Sequence, residues 1–156
     1  MSYARLSSRR PQAGFSLMEL MIAVAIMGVL FGIALPSYKD YVRRGAVTEA
    51  PGVLSDYRIK MEQYYQDHRN YGSGGKCAND DPVPTWSSFS PSSAKNFKYE
   101  CSSADSGQSY SIKATGTSSS ATGHVYYQTG AGTSTATFKG TDVVDKNCWL
   151  IRGDEC

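Results

Sequence analysis

From Phe15 to Leu35 the chain is apolar for 21 residues, with Glu19 as its one charge. That length matches the roughly 20 residues a helix needs to cross a bilayer. After Pro36 the pattern changes period. Val47, Ala50, Leu54, Tyr57, Met61, Tyr64 and His68 recur at spacings of three and four, the stripe of a helix buried along one side. Arg43, Arg44, Asp56, Arg58, Lys60 and Glu62 fall mostly off it. Pro36 removes a backbone donor and crowds the preceding turn, which predicts a kink there. Pro51-Gly52 predicts a second bend or a melted turn. From Gly72 to Asn96 the sequence has no period and is rich in Gly, Ser, Pro and Asp, so it reads as a loop. Four alternating segments follow at residues 97–101, 110–114, 124–128 and 135–139, separated by Gly/Ser/Thr/Asp clusters. They predict an antiparallel meander with one face on the helix and the other in solvent. The fold expected is α+β: a long N-terminal helix, transmembrane then amphipathic, packed on a roughly four-stranded antiparallel sheet.

Charge orients the apolar segment. Residues 1–14 carry Arg5, Arg9 and Arg10 and no acid, which places the N-terminus of the segment in the cytoplasm. No A-x-A-like site follows Leu35, where the chain reads Pro36-Ser37-Tyr38-Lys39. Processing is therefore expected before the apolar run, at Gly14-Phe15, rather than after it as in a secretory signal. Removing residues 1–14 leaves 142 residues, with 13 Lys+Arg against 14 Asp+Glu and a formal charge of −1. The positive balance of the whole chain thus resides in its leader and is no argument for nucleic-acid binding.

Glu19 needs its own explanation. A carboxylate in a spanning helix costs about 2.5–3.5 kcal/mol on insertion scales, less near the end of the run. Cleavage at Gly14 would create a free amine on Phe15. In an apolar assembly, that amine of one copy and the carboxylate of a neighbour would pair rather than be buried alone. The cysteines, Cys77, Cys101, Cys148 and Cys156, all lie beyond the apolar run, on the side of the membrane where disulfides form. Four cysteines allow three pairings. Neighbour pairing, Cys77–Cys101 and Cys148–Cys156, closes two short turn-rich segments and is the expectation. Zinc would need closer ligand pairs such as C-x2-C, and the sequence has none.

The string Gly14-Phe15-Ser16-Leu17-Met18-Glu19, with Pro36-Ser37-Tyr38 closing the apolar run, resembles the type IV pilins, in particular the PilE-like minor pilins. The resemblance continues through Tyr38-Lys39-Asp40-Tyr41, Glu62-Gln63-Tyr64-Tyr65 and the C-terminal cysteines. It does not extend over residues 72–96, and the 14-residue leader is longer than is usual in that family. The resemblance implies that a prepilin peptidase cuts after Gly14, that Phe15 becomes the methylated terminus, and that Glu19 serves assembly. It implies a leader (1–14), a transmembrane and assembly helix (15–35), an amphipathic spine (36–71) and a globular head (72–156). The implied location is the inner membrane with the head in the periplasm, then the extracellular pilus. The implied partners are major and minor pilin subunits, the peptidase, the inner-membrane assembly machinery and, before assembly, lipid. Adhesion and twitching motility would follow.

No catalytic constellation stands out. His68 and His124 are isolated in sequence, and neither H-E-x-x-H nor G-x-S-x-G occurs. Asp80-Asp81 lacks an EF-hand pattern, and Gly72-Ser73-Gly74-Gly75 lacks the Lys-Ser/Thr of a phosphate loop. No enzyme activity, cofactor or metal is expected. Arg152-Gly153-Asp154 is an adhesive string only by a three-residue match. The expected role is structural, a minor pilin that primes assembly or joins the fibre at low abundance. One alternative is a pilus-displayed DNA receptor for natural transformation, using Lys95, Lys98, Lys113, Lys139, Lys146 and Arg152. These cations are scattered in sequence, with Asp142, Asp145, Asp154 and Glu155 close by. A major pilin and a type II secretion pseudopilin are the others.

Overall fold

A computed structural model describes residues 14–144, 146–153 and 155–156. The chain divides into two compact units, residues 1–39 and 40–156. Helix α1 runs Leu17–Val47 and includes Pro36. Ser16 starts it: its carbonyl accepts from the Glu19 and Leu20 N–H groups, and its Oγ from Met18 N–H at 3.3 Å. Those are the bonds of an N-cap serine, which satisfies donors that have no partner inside the helix. In the first unit the apolar side chains from Phe15, just before α1, to Leu35 within it are all exposed. By length and composition this is the one helix among the described residues that could cross a membrane.

The expected interruption at Pro51-Gly52 lies earlier. Helix α2 runs Glu49–His68 without a break, and Thr48 alone separates it from α1. The displacement follows from proline chemistry. Pro51 has no N–H for the carbonyl four residues back, and its ring crowds that carbonyl. The ladder therefore fails at Val47 and Thr48, while Pro51 sits comfortably in the first turn of α2. Along α2 the stripe is as expected: Ala50, Leu54, Tyr57, Met61 and Tyr64 are buried. His68 is half-buried and stacks on Tyr64 at 4.0 Å. Arg69, in the left-handed region at φ 59°, closes the helix by donating its N–H to Tyr65 O.

Five strands follow among the described residues, not four. They are β1 (Phe97–Ala104), β2 (Ser109–Gly116), β3 (Val125–Thr129), β4 (Thr133–Phe138) and β5 (Thr141–Asp142). All neighbours are antiparallel, in sequence order. The unexpected β5 has only two residues, too few to show alternation. It exists because Lys139 and Gly140 both take positive φ (54° and 81°), the two-residue turn that matches strand twist. Phe97, Tyr99, Tyr110, Ile112, Ala114 and Tyr126 point from β1–β3 into one core with the α2 stripe. A bulge between Val125 and Tyr126 shifts the β3–β4 register, so Thr135 and Phe138 both turn inward from β4.

The loop before β1 carries a short 3-10 turn, Thr85–Ser88, whose neighbour Phe89 packs on Tyr57 at 4.7 Å. Cys77 is bonded to Cys101, tying this loop to β1, and Cys148 is bonded to Cys156. A second tie is Glu49, the first residue of α2. Its carboxylate accepts from the backbone N–H groups of Lys95, Asn96 and Phe97, from Asn96 Nδ2 at 2.8 Å and from Tyr99 OH at 3.4 Å. Burial beside this carboxylate pushes the Tyr99 phenol well above its ordinary range.

Candidate functional site

Two regions carry the candidate chemistry, one in each unit. In the first unit, Gly14 precedes the helix and Phe15 is 86% exposed just before its cap. Glu19 sits in the first helical turn, exposed among apolar neighbours. An acid there is favoured by the helix dipole. Apart from Glu19, the stretch of helix that Ser16 starts is apolar and exposed as far as Leu35. Arg5, Arg9 and Arg10 lie outside the described residues.

In the second unit the six cations separate into two groups. Lys95 and Lys98 flank the start of β1, and Lys113 stands on β2 opposite Glu100 of β1. Lys98 and Lys113 share one face of the sheet, and Lys95 lies in the chain just before it. Lys139 lies beyond β4, and Lys146 and Arg152 lie in the C-terminal segment. Lys139 Nζ is 3.9 Å from Asp40 and over the Phe138 ring. Lys146 gives its carbonyl to Thr135 N–H, beside β4. Asp142 is on β5, four strands from β1, a separation of about 19 Å at ~4.8 Å per strand. Glu155 is exposed, while Asp145 and Asp154 lie outside the described residues. The sheet therefore holds Asp142 well away from Lys98.

On the β1 side, Lys98 pairs with Glu100 at 2.7 Å. Lys98, with a smaller contribution from Lys113, holds the Glu100 carboxyl below its ordinary range. A fourth cation joins them, Lys76, which the sequence reading missed. The Cys77–Cys101 bond carries it to β1, so that Lys76 and Lys98 line one groove of about 440 Å³. Ser87, Ser88, Ser90 and Asn79 supply neutral polar groups to the same groove. In sequence the only signal for Lys76 was its position next to a cysteine, which locates nothing until the pairing is known. Glu100 lines the groove as well and pairs with Lys98, so a phosphate oxygen would meet Lys76 and the hydroxyls directly and would compete with Glu100 for Lys98.

The remaining candidates are not assembled into a site. His68 stacks on Tyr64, and His124 is 1% exposed in the turn before β3. Asp80 binds Tyr64, its N–H donating to the phenol oxygen while the hydroxyl donates to its carboxylate. Gly74 and Gly75 form a turn at positive φ. Arg152 is exposed, but the tripeptide it begins ends at Asp154. No group of three or more His, Cys, Asp or Glu placed to hold a metal occurs among the described residues.

Comparison with known proteins gives this geometry a context. A family model described as a prokaryotic N-terminal methylation motif matches residues 9–35. A fimbrial protein of Neisseria meningitidis serogroup A is 40% identical over 67 residues, 43% of this chain and 39% of that protein. A type IV major pilin protein PilE1 of Neisseria gonorrhoeae is 44% identical over 67 residues, 43% of this chain and 41% of that protein. The fimbrial protein EcpC of Eikenella corrodens is 44% identical over 59 residues, 38% of this chain and 39% of that protein. The matched stretch thus spans about two fifths of the length of these relatives. A second family model, described as type IV minor pilin ComP, DNA uptake sequence receptor, matches residues 36–128, from Pro36 into β3. Since that match covers more than half of the chain, the protein is a type IV pilin and belongs to the family of that description.

Proposed function

We propose that this chain is a fibre subunit whose head captures duplex DNA at the outer surface of the cell. The leader would be cut after Gly14 and Phe15 methylated, and the uncovered apolar helix would pass from inner membrane to fibre core. Glu19 would pair there with the terminal amine of a neighbouring subunit. Prepilin peptidase, the inner-membrane assembly machinery and other pilins, major and minor, are the partners this route requires. The observation that carries the DNA reading is the match of the receptor family over residues 36–128. It covers Lys76 and Lys98, which line one groove, Lys113 on the same sheet face as Lys98, and Lys95 two residues before β1.

The chemistry supports the same reading. Phosphate contacts from lysine release condensed counterions, and each lowers the salt slope by about 0.9. Four such contacts give a slope of roughly −3.6 in log affinity against log salt. Base-edge contacts would add sequence preference to that platform.

The test is fluorescence anisotropy of the purified chain in detergent with labelled duplex DNA over a salt series. Binding with a slope near −3 to −4 is expected. Lys76→Ala and Lys98→Ala should each weaken binding and reduce the slope by about one. Salt-independent binding, or none at low salt, would overturn the reading.

A second reading, a fibre-forming subunit without a DNA role, is favoured by the relatives described as fimbrial protein and major pilin. Such a subunit would serve adhesion and twitching motility, or prime assembly as a minor pilin. Deleting the gene separates the two: loss of fibres supports the second reading, and loss of DNA capture with fibres intact supports the first.

A further inference from the structure

We propose that His124 is a pH-sensitive latch, which docks the C-terminal disulfide loop onto the head while neutral and releases it when protonated. The ring is 1% exposed at the end of the β2–β3 connection. Its Nδ1 lies 3.0 Å from Ala121 O, an acceptor, so Nδ1 carries the proton in the neutral ring. That leaves Nε2 as a lone pair, and Arg43 Nη1 faces it at 3.4 Å. The same Nη1 donates to Ile151 O at 3.2 Å, inside the loop closed by Cys148 and Cys156. Arg43 is fixed by a fork onto Asp40 Oδ1, at 3.1 Å from Nε and 2.7 Å from Nη2. One guanidinium thus joins the imidazole, the end of α1 and the loop.

The charges around the ring make protonation costly. Arg43 faces it directly, Lys139 reaches over Phe138 from the β4–β5 turn, and Phe138 packs edge-on to it at 5.1 Å. Arg44 shares Asp40 with Arg43, so one carboxylate serves three cations. Arg152 adds a further cation on the loop itself. Tyr126 on β3 is neutral and donates to Leu150 O at 2.6 Å. A second ring proton would remove the Nε2 lone pair that faces Arg43 Nη1 and set two cations against each other in a dry site. Burial is the main cause that holds the ring's pKa below 6.5; the Ala121 carbonyl pulls it back up, Arg43 pushes it down, and Thr122 and Lys139 add smaller effects of opposite sign.

The sign follows from linkage. Opening the loop releases Arg43 from Ile151 O and lets the guanidinium leave the ring, so the open state binds more protons than the docked one. Docking is therefore strongest above about 6.5 and is lost as pH falls. One proton taken up on opening raises the open population up to tenfold per pH unit below about 6.5, levelling off at the docked-state pKa. Asp40 titrates far lower, near 2, and is separate from this window.

The probe is the Leu150 amide, buried and bonded to Thr135 Oγ1 at 2.9 Å. Its hydrogen exchange is followed by NMR on the full chain in detergent from pH 7.5 to 5, after correction for intrinsic rates. The Ile112 amide of β2 serves as the reference for global opening. The expected result is a rise in Leu150 opening toward tenfold per pH unit, with Ile112 unchanged. His124→Gln should abolish the slope, and His68→Gln should leave it intact. Should His124→Gln fail to fold, the His124 ring titration in the wild-type chain must level at the same pH as the Leu150 profile. A pH-independent Leu150, a slope that survives His124→Gln, or a ring titration that does not coincide with the profile would overturn the latch.

Discussion

Glu49→Ala removes the carboxylate that holds the start of β1 against the start of α2. In the folded chain its two oxygens accept from three successive backbone N–H groups, at 3.2 Å from Lys95, 3.0 Å from Asn96 and 3.3 Å from Phe97. Asn96 Nδ2 and Tyr99 OH complete the set at 2.8 and 3.4 Å. A hydrogen bond to a charged acceptor contributes about 1.5–3 kcal/mol. Five donors crowded on two oxygens are not additive, and the partly buried ones can rehydrate when the carboxylate is gone. The loss of an acid from the first turn of α2 adds about 0.3–1 kcal/mol. The net cost is therefore set at about 3 kcal/mol, or roughly 10 °C in Tm for a head of this size. Guanidinium titration of the full chain in detergent, followed by near-UV circular dichroism, measures it. Glu49→Gln keeps an acceptor oxygen and loses the charge, so it should cost about half as much. A Glu49→Ala chain within about 0.5 kcal/mol of wild type would refute the clamp.

Three further outcomes follow from the packing. Tyr126→Phe leaves Leu150 O without its buried 2.6 Å donor and should cost about 1–3 kcal/mol by denaturation; no change would mean that water replaces the hydroxyl. Gly116→Ala places a methyl 1.9 Å from Ala121 O, a backbone atom, so the turn before His124 must move. Shifted amide signals over residues 116–124 and a loss of about 2 kcal/mol are expected. Asp40, held by Arg43 and Arg44, should titrate near 2 rather than 3.8. Its ion pairs therefore contribute above the ordinary carboxylate range and are lost as pH falls through about 2. Side-chain carboxyl NMR reads this directly, and a midpoint near 3.8 would contradict the fork.

Much of this fold is written in local periodicity. The α2 stripe was legible because burial on one face of a helix imposes a spacing of three and four, and Ala50, Leu54, Tyr57, Met61 and Tyr64 are buried as that spacing requires. Four strands were legible from alternation, whereas β5 was not, because two residues have no period and a Lys-Gly turn is a weak signal. The break at Thr48 was misplaced by three residues because proline acts on the carbonyl four positions upstream, not on its own position. The stretch that matches the N-terminal methylation motif, residues 9–35, was legible because its basic leader, apolar length and acid position are all sequential features. The cationic groove was not. Lys76 and Lys98 are 22 positions apart and meet through a disulfide and a loop, long-range geometry that composition does not carry. The Arg43–His124–Ile151 joint spans 108 positions for the same reason.

Capture of DNA by isolated fibres tests the central claim most directly. Fibres sheared from cells that express the chain, and from cells that lack its gene, are washed and incubated with labelled duplex DNA at low and high salt. Fibres containing the chain, processed at Gly14, should retain DNA at low salt and release it as salt rises, while fibres without it retain little. Equal retention by both preparations, or a chain that stays in the membrane fraction with its leader attached, would contradict the claim.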